Sequence, residues 1–295
     1  MTHKFLRSIG FLTMQSSKEI KKVLKLVLTS PTEKQYVTLK DDSIAVEYRK
    51  DFSDSFGIAV CGEFSDEADF DYEFFYPYFR GQYISTTTDI ELERLAETES
   101  FEGVFDDTRI GISVIFRLIN RLDYLKILMR DDISQLKEPV TLSGLAESGS
   151  ILLPIKKNKR QMIQEKKNTI ERNRLIADAR AGDEAALETL TLKDIDIDSS
   201  ISRKIMTEDV FTIVDTYVMP SGLECDMYAV MGEILDVKIK ENDLSGETVF
   251  VMTLNCNDLV FDVCINKNDL TGEPLKGRRF KGNIWLTGKI DFNSL

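Results

Sequence analysis

The segment MYAVMGEILDVKIKENDLSGETVFVMTLNCNDLVFDVCI (residues 227–265) decides the fold of the C-terminal part of this chain. Runs rich in Val, Ile, Leu and Phe alternate there with Asn, Asp, Ser and Gly, and this pattern is typical of short β-strands joined by turns. Together with the flanking sequence it predicts five strands, at residues 210–219, 227–240, 248–255, 259–265 and 280–290.

Two turns in this part of the chain repeat the same chemistry. Residues 242–247 (NDLSGE) and 268–273 (NDLTGE) both combine Asx residues with a glycine that can take positive φ, so each turn is expected to end a strand. Five strands at this spacing, in about 80 residues, predict a small closed or partly open β-barrel of the oligonucleotide/oligosaccharide-binding (OB) type. A fold of this type does not by itself assign a ligand.

The N-terminal part predicts one helix and a meander of strands. Ser16 and Glu19 have the spacing of a capping box, and apolar residues follow at helical spacing, so we expect a helix that ends near Pro31. Residues 140–154, with a turn at 147–149, predict a β-hairpin. Four further runs have strand character, at residues 35–39, 43–48, 56–64 and 70–79.

A helical connector separates the two parts. The stretch from Lys156 is rich in helix formers and ends at Gly182, a typical C-cap residue, and Asp183 can cap a further short helix. Its apolar residues recur about every seven positions, so only a narrow seam can be buried, and the helix either bridges domains or docks a partner. The predicted class is α+β, with a mixed N-terminal domain containing the meander, a helical connector and a C-terminal OB-like β-barrel, at residues 1–155, 156–206 and 207–295.

Composition excludes several classes of protein. Of the 295 residues, 42% are hydrophobic and 30% are charged, which is typical of a globular chain that can bury a core. No apolar run approaches the roughly 20 residues of a membrane-spanning helix, and the N-terminus lacks the apolar region of a signal peptide, so we expect a cytoplasmic protein without a membrane partner. The net charge of −12 repels phosphate backbones on average and disfavours nucleic acid.

Histidine and cysteine are too scarce for the common catalytic and metal sites. The one histidine is His3, and the four cysteines are too dispersed for a disulfide scaffold or a CxxC zinc site, so we expect buried, reduced thiols and no metal or cofactor. The P-loop, dinucleotide-binding and hydrolase signatures are absent from the sequence. The run DIDID (194–198) begins like an EF-hand loop, but Ser199 and Ile205 stand where glycine and glutamate are required, which favours a solvated acidic turn.

Two stretches carry candidate binding residues. Residues 64–83 concentrate Phe and Tyr between acids, and this run is either a core strand or an aromatic binding surface with Arg80 as its polar anchor. Residues 276–282 form a basic loop near Trp285, which suits contact with an anion or a single strand, although the glycines also suit turns and the tryptophan also suits a core. The candidate contacts are Phe75, Tyr78, Arg80, Arg278, Arg279, Lys281 and Trp285.

Charge is unevenly distributed along the chain. Residues 41–107 carry nineteen acids against four bases, whereas residues 156–174 carry eight bases against two acids. This asymmetry is consistent with docking of the basic helix onto the acidic region, within one chain or between two, and also with a solvated helix face.

Several stretches of the sequence are similar to one known family: PTEKQYVTL (31–39), FFYPYFRG (74–81), ISRKI (201–205) and residues 260–290. Over nearly its whole length the chain resembles an uncharacterised family of Gram-positive, clostridia-type bacterial proteins, domain of unknown function 3881. The resemblance implies a bacterial cytosolic protein, and it implies no activity, catalytic residue or cofactor.

These observations favour a non-catalytic binding protein whose partner is another protein or a second copy of itself. Two alternatives stay open. The barrel could bind single-stranded nucleic acid or a small anionic ligand through Arg278, Arg279 and Lys281, with an affinity that falls as salt rises. A carboxylate-based enzyme is the other alternative, and it requires a concave pocket that holds two acids with raised pKa values.

Overall fold

The computed structural model describes residues 3–14, 16–64, 70–95, 100–129, 135–155, 159–193 and 214–292. The acidic run at 194–198 and the ISRKI stretch lie outside these residues. These residues form the helices α1 (Ser17–Thr29), α2 (Arg121–Leu128) and α3 (Lys159–Arg180), a further helix at residues 184–193, and two short 3-10 helices, Lys4–Ile9 and Lys267–Asp269. Strands outnumber helices, so the described part is mostly β, where the sequence suggested an α+β mixture. None of its helices is long and apolar enough to cross a membrane.

The first sheet is the predicted meander. Its four strands pair antiparallel in chain order and are β1 (Glu33–Thr38), β2 (Ile44–Asp51), β3 (Phe56–Phe64) and β4 (Phe70–Phe79). Helix α1 packs on this sheet through Ile20, Val23 and Val27, which are buried. Its capping box is confirmed, because Ser16 Oγ accepts a hydrogen bond from the Glu19 N–H while the Glu19 carboxylate accepts one from the Ser16 N–H.

The remaining strands form a second, larger sheet. They are β5 (Thr86–Thr87), β6 (Ile90–Arg94), β7 (Phe101–Asp107), β8 (Ile112–Leu118), β9 (Gln135–Leu136), β10 (Pro139–Leu152), β11 (Tyr217–Pro220), β12 (Met227–Glu241), β13 (Thr248–Cys256), β14 (Leu259–Asn266), β15 (Leu270–Thr271) and β16 (Arg279–Ile290). Strand β16 pairs in parallel with β8, and β8, β7, β6 and β9 continue the sheet from there.

Five of these strands close into a barrel, which confirms a small five-stranded β-barrel. The predicted set of strands is wrong in one place, because β10 completes the ring whereas β11, from the run predicted at 210–219, pairs with β12 outside it. The five strands pair in the order β12-β13-β14-β10-β16, and β16 also pairs with β12, which completes the ring. Every pair in the ring is antiparallel except β10 and β14, which run parallel from Ser143–Asp262 to Ala146–Ile265.

The hairpin predicted at residues 140–154 is wrong, because this stretch forms one long strand, β10. Its expected turn is only a register shift between Ala146 and Ser148. The glycine that suggested a turn serves packing instead: a Cβ on Gly149 would come closer than 3.0 Å to ring atoms of Phe280 on β16. A domain boundary after residue 155 therefore separates one barrel strand from the other four.

Buried side chains form two layers. Inside the barrel the core includes Val230, Ile234, Met252, Phe280 and Ile284. A second apolar layer lies between the barrel wall and the four-stranded sheet, and it includes Phe5, Ile9, Leu145, Cys264 and Trp285. The N-terminal 3-10 helix therefore packs between the four-stranded sheet and the barrel.

The two repeated turns fasten this N-terminal segment. Arg7 forms an ion pair with Asp269 in the second turn. Asn242, at the start of the first turn, donates from Nδ2 to the Ile9 carbonyl at 2.7 Å, and the Glu247 carboxylate accepts from the Leu12 N–H at 2.9 Å. The sequence echo thus has a shared structural role in addition to ending strands.

Candidate binding cleft

A small cleft lies where the end of β4 meets the outer wall of the barrel. Its polar lining comes from the chain after β4, from the loop after β2 and from three barrel strands, and consists of Ser55, Arg80, Gln82, Lys238, Lys240, Thr253 and Asp262. The open space, counting the solvent within it, is about 280 Å³. Because this figure includes open solvent, it is not comparable with the roughly 300–1,000 Å³ of sites that enclose a whole small molecule. The enclosed part is about 10 Å³, which is room for about one water molecule.

Strand geometry explains why these side chains converge. Lys238 and Lys240 are two residues apart on β12, so both point to the same face of the sheet. On the neighbouring strands Thr253 is directly opposite Asp262. The backbone N–H of Arg80 donates to the Ser55 carbonyl at 2.8 Å, which fixes the end of β4 against the loop that carries Ser55.

The three basic side chains of the cleft differ in how their charge is balanced. Arg80 Nη1 lies 2.7 Å from Asp51 Oδ1, and Lys240 Nζ lies 2.6 Å from Asp54 Oδ2. Lys238 Nζ instead donates to the neutral Gln82 Oε1 at 2.6 Å, and no carboxylate of the described ranges forms an ion pair with it. Lys238 is therefore a cation without a counter-ion.

The acid that lines the cleft does not supply that counter-ion. Asp262 is buried, and its two oxygens accept hydrogen bonds from the Gln82 N–H at 2.8 Å and from Thr253 Oγ1 at 2.6 Å. Since Asp51 and Asp54 already balance Arg80 and Lys240, the positive charge that remains unbalanced in the cleft is that of Lys238.

Ser55 adds a polar group that lacks a partner. Its side chain is buried, and its Oγ makes no hydrogen bond within the described part of the chain. The neighbouring Asp54 is engaged mainly by Lys240, which holds the pKa of that carboxyl below its usual value, with Ser53 and Ser55 as weaker contributors. The Ser55 hydroxyl therefore lies close to a carboxylate although it does not meet hydrogen-bond geometry with it, and an incoming acceptor could compete for this hydroxyl.

The model of a family described as "Domain of unknown function, E. rectale Gene description (DUF3881)" matches residues 6–288. The chain belongs to this family. The resemblance noted in the sequence is thereby confirmed. No curated protein and no solved structure matches the chain.

The structure places the seven predicted contacts of this DUF3881 chain in different surroundings. Arg80 lines the cleft. Tyr78 and Trp285 are buried: the Tyr78 hydroxyl donates to Asp51, and the Trp285 indole N–H donates to Asp226 Oδ2 at 2.6 Å. Neither ring is available as a surface contact, because both belong to the apolar layer beside the barrel.

The other four predicted contacts lie outside the cleft. Phe75 is half-buried in the same apolar layer. Arg279 is buried, and its guanidinium donates to backbone carbonyls, whereas Arg278 and Lys281 are half-buried. Arg278 donates to the Glu273 carbonyl at 2.8 Å. The basic loop therefore does not join Arg80 in one binding surface.

A second group of ionisable residues lies beside Trp285. Arg117 stands between two acids, with Nη2 at 3.4 Å from Glu102 Oε1 and Nε at 3.5 Å from Asp226 Oδ2. Burial raises the pKa of Glu102 and lowers the pKa of His3 to about 4, so this imidazole is neutral at pH 7. Because Arg117 and Trp285 already engage these carboxylates, the group is a packed cluster and lacks the concave two-acid pocket that a carboxylate enzyme requires.

The four cysteines of the chain differ in their exposure to solvent. Cys61, Cys256 and Cys264 are buried, and burial raises the pKa of each thiol. Cys225 is exposed, which the sequence did not predict. Within the described ranges no three His, Cys, Asp or Glu side chains are grouped so as to hold a metal ion.

Proposed function

We propose that this chain is a non-catalytic binding protein and that the cleft beside Arg80 holds a small anionic group. The observation that carries the proposal is the convergence of Arg80, Lys238 and Lys240 on one cleft that also contains the unpartnered Ser55 hydroxyl. A phosphate or carboxylate group would supply the counter-ion that Lys238 lacks and the acceptor that Ser55 lacks.

The size of the cleft limits what it holds. Its enclosed space of about 10 Å³ holds no more than the oxygen end of one phosphate or carboxylate group, which would belong to a free ion or to the anchored end of a longer molecule. The acidic surface elsewhere argues against a long polyanion, because each additional phosphate would meet the net negative field of the chain. Local focusing of positive charge in the cleft acts over a shorter distance, since the Debye length at physiological salt is about 8 Å.

The strand order of the barrel also supports a binding site on the face where the cleft lies. The strands of the ring are ordered as expected of an OB-like barrel, with one parallel pair, β10 and β14. In this comparison β10 takes the place of the last strand of such a barrel, although it is the first of the five along this chain. Barrels of that type bind ligands on the face of their second and third strands. In this arrangement those strands are β13 and β14, which contribute Thr253 and Asp262 to the cleft. We therefore extend the proposal to an OB-like barrel. That it acts in the cytoplasm is a further part of the proposal and rests on the sequence alone.

The proposal is tested by titrating the full chain with inorganic phosphate and, separately, with a short single-stranded oligothymidylate, followed by calorimetry. Removing one charge-assisted hydrogen bond costs about 1.5–3 kcal/mol, so we expect Lys238→Met and Arg80→Ala each to weaken binding at least about tenfold. The matched control is Lys289→Met, because Lys289 is an exposed barrel lysine outside the cleft.

The outcomes separate the possible sources of the anion. Binding of phosphate alone assigns a small-molecule site, whereas tighter binding of the oligonucleotide assigns a single-strand site, with a salt slope that falls by about 0.7 when Lys238 is removed. If the wild type binds neither probe, or if Lys289→Met weakens binding as much as Lys238→Met, the assignment of the cleft is wrong.

A further inference from the structure

The two ends of the connector between β10 and β11 contact the same barrel side chain, Arg279. The Arg279 guanidinium donates to the Leu153 carbonyl at 3.0 Å and to the Val214 carbonyl at 2.9 Å. Arg279 is itself buried at the start of β16. Both ends of the connector are therefore fastened at the same point of the barrel, and we refer to the described residues between them, 159–193, as the helical arm.

The helical arm contains two helices that fold back on each other. Helix α3 ends at a turn where Gly182 has a φ of +94°, and Asp183 then caps a second helix at residues 184–193 by accepting from the Ala185 N–H. Lys193 Nζ, at the end of the second helix, lies 2.7 Å from Glu171 Oε1 in the middle of α3. The two helices thus form an antiparallel hairpin.

The side chains of this hairpin whose exposure the structure describes bury little apolar surface. In the second helix Ala186 and Leu190 are buried. By contrast Ile170 on α3 is 70% exposed, and Leu187 and Leu192 on the second helix are 59% and 58% exposed. Apart from this second helix, α3 makes no extended contact with α1, α2 or the strands of the described ranges. Since short helices are marginal in water without packing of an apolar face, these exposed residues are candidates for contact with a further surface.

The sequence of α3 is suited to packing against a helix. Its apolar seam recurs at Ile163, Ile170 and Ala177, which is a seven-residue spacing. A narrow seam of that period is the pattern used where one helix lies along another. The second helix of the same hairpin does not cover the middle of this seam, since Ile170 faces solvent.

Charge indicates which surface covers the seam. Helix α3 carries seven bases and three acids, whereas residues 183–193 carry three acids and one base. A second copy of the arm, turned by a two-fold axis, would set the basic helix of each copy beside the acidic helix of the other. A symmetric dimer satisfies both contacts at once, because the same patch is used by both subunits.

We propose that two copies of this chain associate through their helical arms to form a four-helix bundle. Helix α3 of each copy packs against residues 184–193 of the other, covering Ile170 with Leu187 and Leu192. The antiparallel hairpins supply four helices in the arrangement in which such bundles bury a common core. This inference stands on the arm alone and goes beyond the anion-binding cleft.

The test is the mass of the full chain in sedimentation experiments over a wide concentration range. We expect the wild type at twice the chain mass of 33.7 kDa and Ile170→Glu at the mass of one chain. The matched control is Ile239→Glu on the barrel, because Ile239 is 68% exposed against 70% for Ile170. It should remain a dimer, and an unchanged melting transition of Ile170→Glu shows that the barrel is intact.

Charge exchange distinguishes pairing of the arms from nonspecific association. Lys167→Glu and Glu188→Lys should each weaken the dimer, and the double variant should recover it, because the exchanged charges meet across the two-fold axis. The proposal is overturned if the wild type is a monomer throughout, if Ile170→Glu remains a dimer, or if nuclease treatment dissociates the complex, since the last result would mean that nucleic acid holds it together.

Discussion

Replacing Glu47 by Gln should cost about 3–5 kcal/mol of unfolding free energy, because it breaks a buried ion triad. The Glu47 side chain is 2% exposed and accepts from Arg49 Nε at 2.5 Å and Arg121 Nε at 3.2 Å, with the Tyr76 hydroxyl at 3.2 Å. A glutamine keeps the shape of the side chain but removes its charge. Two guanidinium groups, both nearly excluded from water, then share a site without a counter-ion.

The assay is equilibrium urea denaturation of the wild type and the variant, compared at constant slope. The control is Glu224→Gln, which removes the acid of an exposed ion pair with Lys4 at 3.5 Å and should change stability by less than about 1 kcal/mol. A cost for Glu47→Gln as small as that of the control would refute the view that the triad is a tightly coupled buried unit.

The loss of unfolding free energy at low pH provides a second test of the role of Glu47. Burial by itself would raise the pKa of Glu47, but Arg49 and Arg121 overcome it and lower the pKa below its usual value. The unfolded chain therefore takes up this proton at a higher pH than the folded chain, and the contribution of Glu47 is lost as pH falls through its folded pKa. The variant should lack that part of the acid-induced loss.

Two further outcomes follow from close packing and from titration. Gly149→Ala should lower the melting temperature, with a cost of about 1–3 kcal/mol, because the added Cβ overlaps the Phe280 ring; equal melting of variant and wild type would show that the ring moves aside freely. Stability of the wild type should also fall between pH 6.5 and pH 4 by up to about 3 kcal/mol, because burial lowers the pKa of His3 to about 4 and the unfolded chain takes up the proton first. Urea titrations at both pH values should give a smaller loss for His3→Gln, and an equal loss would assign the effect to other groups.

Local signals in the sequence were sufficient for the N-terminal elements. The Ser16 capping box and the alternating runs that became β1 to β4 act through neighbours in the chain, so propensity and turn chemistry locate them. The strand character of β10 is visible in the sequence, but its continuity through residues 147–149 is not, because its partners β14 and β16 lie more than a hundred residues away. The sequence alone predicts a turn at Gly149, because a glycine needed to make room for a distant ring looks the same in one sequence as a glycine needed for a turn.

The candidate cleft was predictable only in part for the same reason. Arg80 stood out beside an aromatic run, whereas Lys238 and Lys240 look like ordinary outward residues of a strand. Their significance depends on the docking of the β4 end against β12, and this is a tertiary contact. The Lys-x-Lys spacing on one strand face was the available signal. Trp285 was noticed for its residue type, and its burial depends on the N-terminal segment that covers it.

The position of β10 in the barrel constrains how the chain can fold during synthesis. Residues 139–152 emerge from the ribosome long before residues 279–290, yet β16 is the strand that joins β10 to β12 and completes the ring. Contacts between such distant parts of a chain raise the contact order and slow folding. The edge of β10 that pairs with β16 therefore stays unpaired until this last described strand is made. Nascent chains that stop before β16 cannot close the barrel and should be recognised by chaperones as incomplete.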